Sequence, residues 1–73
     1  MINNYKEAKK IVEAQIGIKF LQCAEYMDGW IFSTVEIPLS GVYFVDKNGT
    51  VKFLKNSDFS NNEKSIKKIY NLV

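Results

Sequence analysis

The residue types able to do chemistry in this chain are few, and they limit it more than they direct it. Cys23 is the single thiol, and the carboxylates are Glu7, Glu13, Glu25, Asp28, Glu36, Asp46, Asp58 and Glu63. Histidine is absent, and all ten positive side chains are lysines. Without imidazole there is no Cys–His or Ser–His pair and no His-ligated metal. Without guanidinium there is no bidentate fork for phosphate, carboxylate or guanine. A reactive Cys23 would need a cationic neighbour or a helix N-terminus to lower its pKa. Its place inside a strand-like run points instead to a small apolar filler. Hydrolysis by two carboxylates needs a pair fixed across a cleft. Turns account for Asp28 and Asp46, and helix caps for Glu7 and Glu63. Glu25 and Glu36 could face each other across a hairpin, but a sheet this small encloses little. Asp46-Lys47-Asn48-Gly49 holds only part of a calcium-loop pattern, and no acidic residue closes it. The residue types predict no catalytic residue, no metal site and no cofactor.

These residues are carried by elements that read as a helix, four strands and a second helix. Tyr5, Ala8, Ile11, Val12 and Ile16 recur at helical spacing over residues 4–16. Asn4 with Glu7 three residues on forms a capping box, and Gly17 suits the left-handed position past the end. Lys9 and Glu13 stand four apart on the polar face, as an i,i+4 ion pair would. Residues 18–26 alternate, with Ile18, Phe20, Ala24 and Tyr26 on one side and Leu21 and Cys23 on the other. Asp28-Gly29 offers a two-residue turn. Trp30 to Val35 has strand composition, with Trp30 and Phe32 opposing Ile31 and Val35. Pro38 to Gly41 breaks that run. Strands near 42–46 and 50–54 flank Asp46-Lys47-Asn48-Gly49, a tight hairpin turn in which Gly49 takes φ > 0 and Asp46 and Asn48 bond nearby backbone. Ser60 with Glu63 repeats the capping box, and Ile66, Ile69, Tyr70 and Val73 share one face of a second helix. Its other face carries Lys64, Lys67 and Lys68. The expected fold is α+β: an N-terminal helix, a four-stranded antiparallel meander and a C-terminal helix, both helices on one sheet face.

The whole chain, residues 1–73, makes one small domain. A chain this short buries only about 60% of its unfolded surface. One cysteine fits a reducing compartment, the N-terminus lacks the apolar core of a signal peptide, and no apolar run reaches membrane-spanning length. A cytoplasmic protein away from membranes is expected. The lysine stripe Lys64, Lys67, Lys68 is the one single-sign surface, and a basic helix face can meet nucleic-acid phosphate. A net charge of only +2 and the missing arginines argue against that partner.

Aromatic residues make up 14% of the chain, more than two short helices can cover on a sheet with two apolar faces. An apolar face left over is a surface for another protein or for a second copy of the chain. Tyr26, Trp30, Phe32 and Tyr43 are the expected interface anchors, because aromatic side chains dominate binding hot spots.

The order of these signals resembles the immunity protein 35 family of small bacterial immunity proteins. The residues that carry the likeness are Gly29-Trp30-Ile31-Phe32, then Gly41 leading into Val45-Asp46-Lys47-Asn48-Gly49 with Val51, then Glu63 through Ile69-Tyr70. The segment between the two strands is shorter than in that group, and the chain is slightly basic. The resemblance implies a non-catalytic domain that binds another bacterial protein, a toxin among the candidates. Set beside it is an accessory or mobile-element regulator that uses the lysine face on nucleic acid.

Overall fold

A computed structural model describes residues 1–33, 41–55, 57 and 66–72. The first element, α1 (Tyr5–Ile16), starts and stops where local chemistry says it should. The Asn4 side chain accepts from the Glu7 N–H at 3.0 Å, and Glu7 accepts in return from the Asn3 N–H at 2.7 Å. At the other end Gly17 sits at φ 82° and its N–H donates to the Glu13 carbonyl. The expected apolar set, Tyr5, Ala8, Ile11, Val12 and Ile16, packs into one core, with Ala8 and Val12 fully buried. On the outer side Lys9 lies 3.3 Å from Glu13, whose second oxygen accepts from the Phe20 N–H. A half-exposed i,i+4 surface pair of this kind contributes only about 0.3–0.5 kcal/mol. The Phe20 contact ties the chain leaving the helix back onto it.

Five strands follow: β1 (Gln22–Tyr26), β2 (Gly29–Ser33), β3 (Gly41–Asp46), β4 (Val51–Lys55) and β5 (Ile66–Asn71). They form one antiparallel sheet in the order β4-β3-β2-β1-β5. Among the described residues this makes five strands and one helix where four strands and two helices are expected from sequence. Ile66, Ile69 and Tyr70 occupy a strand at the edge beside β1, not one face of a helix. Ser60, Glu63 and Val73 lie outside the described residues. The physical reason is the open edge of β1, whose backbone groups need partners. Pairing with β5 supplies them over Gln22–Tyr26 and overrides the helical spacing.

The first hairpin also turns one residue earlier than Asp28-Gly29. Tyr26 pairs with Gly29, which leaves Met27 and Asp28 as the loop, and Met27 takes φ 53°. Gly29 is used for packing instead. A Cβ there would lie 2.3 Å from the Val45 carbonyl oxygen and 2.9 Å from the Phe44 ring. The hairpin between β3 and β4 turns at Asp46–Gly49 as expected. Gly49 stands at φ 87° and donates to the Asp46 carbonyl, while Asp46 Oδ1 accepts from the Asn48 and Thr50 N–H groups.

α1 lies across β2 and β3 on the face carrying Cys23, Trp30, Phe32, Tyr43 and Val45. The opposite face has its own cluster of Ala24, Tyr26, Ile31 and Val42, with Phe44, Leu54 and Ile66 packed against it. The alternation through β2 and β3 therefore sorts as the sequence indicates. In β1 Ala24 and Tyr26 oppose Cys23 as expected, but residues 18–21 precede the strand and Phe20 turns into the α1 side, with Cys23. Among the described residues no helix is long and apolar enough to cross a membrane.

Candidate protein-docking edge on strand β4

Four aromatic rings climb from the core to the rim of the sheet. Phe32, wholly buried, meets Phe20 edge-on at 5.8 Å between centroids. Phe20 meets Tyr43 at 5.8 Å, and Tyr43 meets Phe53 at 5.2 Å. The sheet places them: Phe32 is paired with Tyr43 and Tyr43 with Phe53, so three of the four stand side by side on adjacent strands. The ladder ends on β4, the outermost strand, where Phe53 keeps 45% of its surface exposed. Tyr43 is half-buried beneath it. An aromatic ring half in solvent and braced by a second ring is an anchor already held in place, and preorganisation of that kind favours association.

The anchors expected from sequence divide on this frame. Tyr26, Trp30 and Phe32 are core side chains, at 2%, 6% and 0% exposure, and Tyr43 alone of the four keeps surface to offer. Tyr26 packs on the face away from α1, whereas Trp30, Phe32 and Tyr43 pack on the face toward it. Phe53 is the residue missed. The alternation of Val51 and Phe53 against Lys52 was visible, but the edge position of β4 was not.

The lysine stripe is not a helix face. Lys67 is the extra residue of a bulge, where Glu25 pairs with Lys68 and Tyr26 with Ile66, and its ammonium donates to the Met27 carbonyl. The Lys68 ammonium lies over the Tyr70 ring, 5.3 Å from its centroid. Lys64 lies outside the described residues. The two described lysines are therefore each engaged within the fold.

A concave surface away from that edge, a cleft of about 280 Å³, opens between the start of α1, the Met27-Asp28 turn and β5. Glu25, Asp28, Lys47 and Lys67 line it, so its charges balance. Glu25 accepts from the Tyr70 hydroxyl at 2.5 Å, and the Tyr70 ring stacks on Tyr5 at 4.0 Å. Glu36, Asp58 and Glu63 lie outside the described residues, so the pairing of Glu25 with Glu36 has no structural description. Among the described residues no three of Cys, Asp and Glu come together as a metal site would require.

The hydrogen bond to Glu25, with some loss of hydration, pushes the Tyr70 hydroxyl up to about 12. Burial, with the Glu25 charge nearby, pushes the Cys23 thiol up to about 12 as well. Cys23 is thus a buried, protonated thiol at neutral pH rather than a nucleophile. Both groups hold their protons more tightly in the folded chain than in the unfolded one. Their contribution to stability is full below the ordinary thiol value of about 9 and is lost as pH rises from there toward 12. Urea midpoints are expected to stay level from pH 7 to 8.5 and to fall between pH 9 and 12. Cys23 is also expected to react with a disulfide reagent at pH 8 far more slowly in the native chain than after denaturant is added. Rapid native labelling, or a midpoint that holds at pH 11, would contradict this account.

Comparison with family models, with curated proteins and with solved structures finds no match to this chain.

Proposed function

We propose that this chain is a non-catalytic protein-binding module that acts as an immunity or inhibitor protein does, by occluding the surface of another bacterial protein in the cytoplasm. The observation that supports this most is Phe53, an aromatic ring 45% exposed on an edge strand and braced by half-buried Tyr43. The resemblance to the immunity protein 35 family points to the same class. Of the lysines that would serve a nucleic-acid reading, the two described, Lys67 and Lys68, are engaged with Met27 and Tyr70.

A photoreactive amino acid at position 53, expressed in the cells that carry the gene, tests the reading. One protein is expected to be captured from position 53 and not from Lys6, which is exposed on α1. With that partner purified, Phe53→Ala is expected to weaken binding about 30-fold, the effect of losing a hot-spot aromatic worth about 2 kcal/mol. Equal capture from both positions, or an affinity unchanged by Phe53→Ala, would dispose of the proposal.

A further inference from the structure

We infer that the partner contributes an extended, acidic segment that adds to β4 as a sixth strand. This rests on the docking reading above and specifies what docks. The hydrogen-bond parity of the β3–β4 hairpin carries it. The Asp46 N–H donates to the Thr50 carbonyl at the turn, and the register then runs Val45 with Val51, Phe44 with Lys52, Tyr43 with Phe53 and Val42 with Leu54. In an antiparallel pair, hydrogen-bonded and non-bonded positions alternate. Lys52 and Leu54 therefore bond inward to β3. Val51, Phe53 and Lys55 point their N–H and C=O groups away from the sheet, where no described residue takes them.

The two edges of the sheet differ. β5 is bulged at Lys67 and carries adjacent lysines, features that blunt an edge against strand addition. β4 keeps an unbroken register over all five residues and presents Phe53 at its middle. Its only charges are Lys52 and Lys55, on opposite faces of the strand, and both are exposed. A second copy pairing edge to edge would bring two lysines from each chain into one seam, which disfavours self-association. A partner strand with carboxylates opposite Lys52 and Lys55 and an apolar side chain opposite Phe53 meets every exposed feature of the edge. Main-chain bonds would supply affinity, and the charges would supply selection.

The probe is an end-capped heptapeptide, Thr-Glu-Val-Val-Glu-Val-Thr, whose two glutamates stand three positions apart as Lys52 and Lys55 do, titrated to millimolar concentration into the full chain, with the same peptide carrying lysine for glutamate as control. Amide exchange is followed by NMR. The glutamate peptide is expected to slow exchange at Val51, Phe53 and Lys55 about 10-fold or more, to leave Lys52 and Leu54 unchanged, and to lose effect between 50 and 300 mM salt. The lysine peptide is expected to do nothing. Lys55→Pro removes one outward N–H without touching a β3 bond, so it should weaken the peptide beyond Lys55→Ala while leaving the melting curve in place. No protection on β4, equal protection by the lysine peptide, or protection that grows with protein concentration alone would each overturn the inference. Capture of a partner at position 53 whose binding leaves these three amides exchanging freely would overturn strand addition and leave the docking reading standing. Peptide protection without any capture at position 53 would do the reverse.

Discussion

Phe32→Ala is expected to lower the folding free energy by about 3–5 kcal/mol, as removal of a fully buried aromatic side chain does. Phe32 has no exposed surface, lies on β2 between its paired neighbours Cys23 and Tyr43, and meets Phe20 edge-on. Nothing nearby is free to collapse into the space: Phe20 is held through its backbone by Glu13, and Cys23 and Tyr43 are held by the sheet. A domain of 73 residues has roughly 4–11 kcal/mol of stability in total. The variant should therefore be partly unfolded at 25 °C, with its urea transition shifted to low denaturant. Phe32→Leu, which keeps much of the volume, should retain more than half of the lost stability. A cost below 1 kcal/mol for Phe32→Ala would mean that the core does not form around this ring.

Gly29→Ala is expected to cost about 3 kcal/mol, at the upper end of what an inserted methyl does to a packed interior. The added carbon would sit 2.3 Å from the carbonyl oxygen of Val45, a backbone atom fixed in the next strand, and 2.9 Å from two carbons of the Phe44 ring. A ring can rotate away, but a strand carbonyl cannot move without breaking the ladder between β2 and β3. Gly17→Ala makes the comparison, since its Cβ would meet no atom within 4 Å. Only the left-handed backbone at φ 82° opposes it, at about 1 kcal/mol. Equilibrium denaturation of the two variants side by side measures the difference. Equal losses would show that β2 and β3 are not packed as closely as described.

The legible parts of this fold are those fixed by neighbours in sequence. Asn4, Glu7 and Gly17 mark the ends of α1, because a cap is a contact between residues three or four apart. Asp46, Asn48 and Gly49 announce their turn for the same reason. The first hairpin misled, since Gly29 looks like a turn glycine and is needed instead for the close approach to β3. The last element misled more deeply. Ile66, Ile69 and Tyr70 satisfy a helix face, and they also satisfy a bulged strand that places Ile66 on one face of the sheet and Tyr70 on the other. What decides between them is the open edge of β1, some 45 positions away and invisible to a local pattern. The candidate site shares that difficulty. Alternation puts Trp30 and Phe32 on one face, yet exposure depends on where α1 lies and on which strand ends the sheet. Phe53, on that strand, was for this reason passed over.

The pairing of β1 with β5 sets the order of events in folding and unfolding. Its partners stand 40 to 49 positions apart, from Tyr26 with Ile66 to Gln22 with Asn71, whereas the hairpins of β1–β2 and β3–β4 close over short turns. Closing the longer loop costs about 1 kcal/mol more in chain entropy than closing one of ten residues. This seam is therefore the late step on the way in and the early one on the way out. Cys23 lies directly across it, opposite Tyr70. When β5 lifts away, the thiol loses the neighbour that covers one side of it. The chain thus carries its own clock: the rate at which Cys23 becomes modifiable counts the openings of a single seam, well below the temperature at which the whole domain melts.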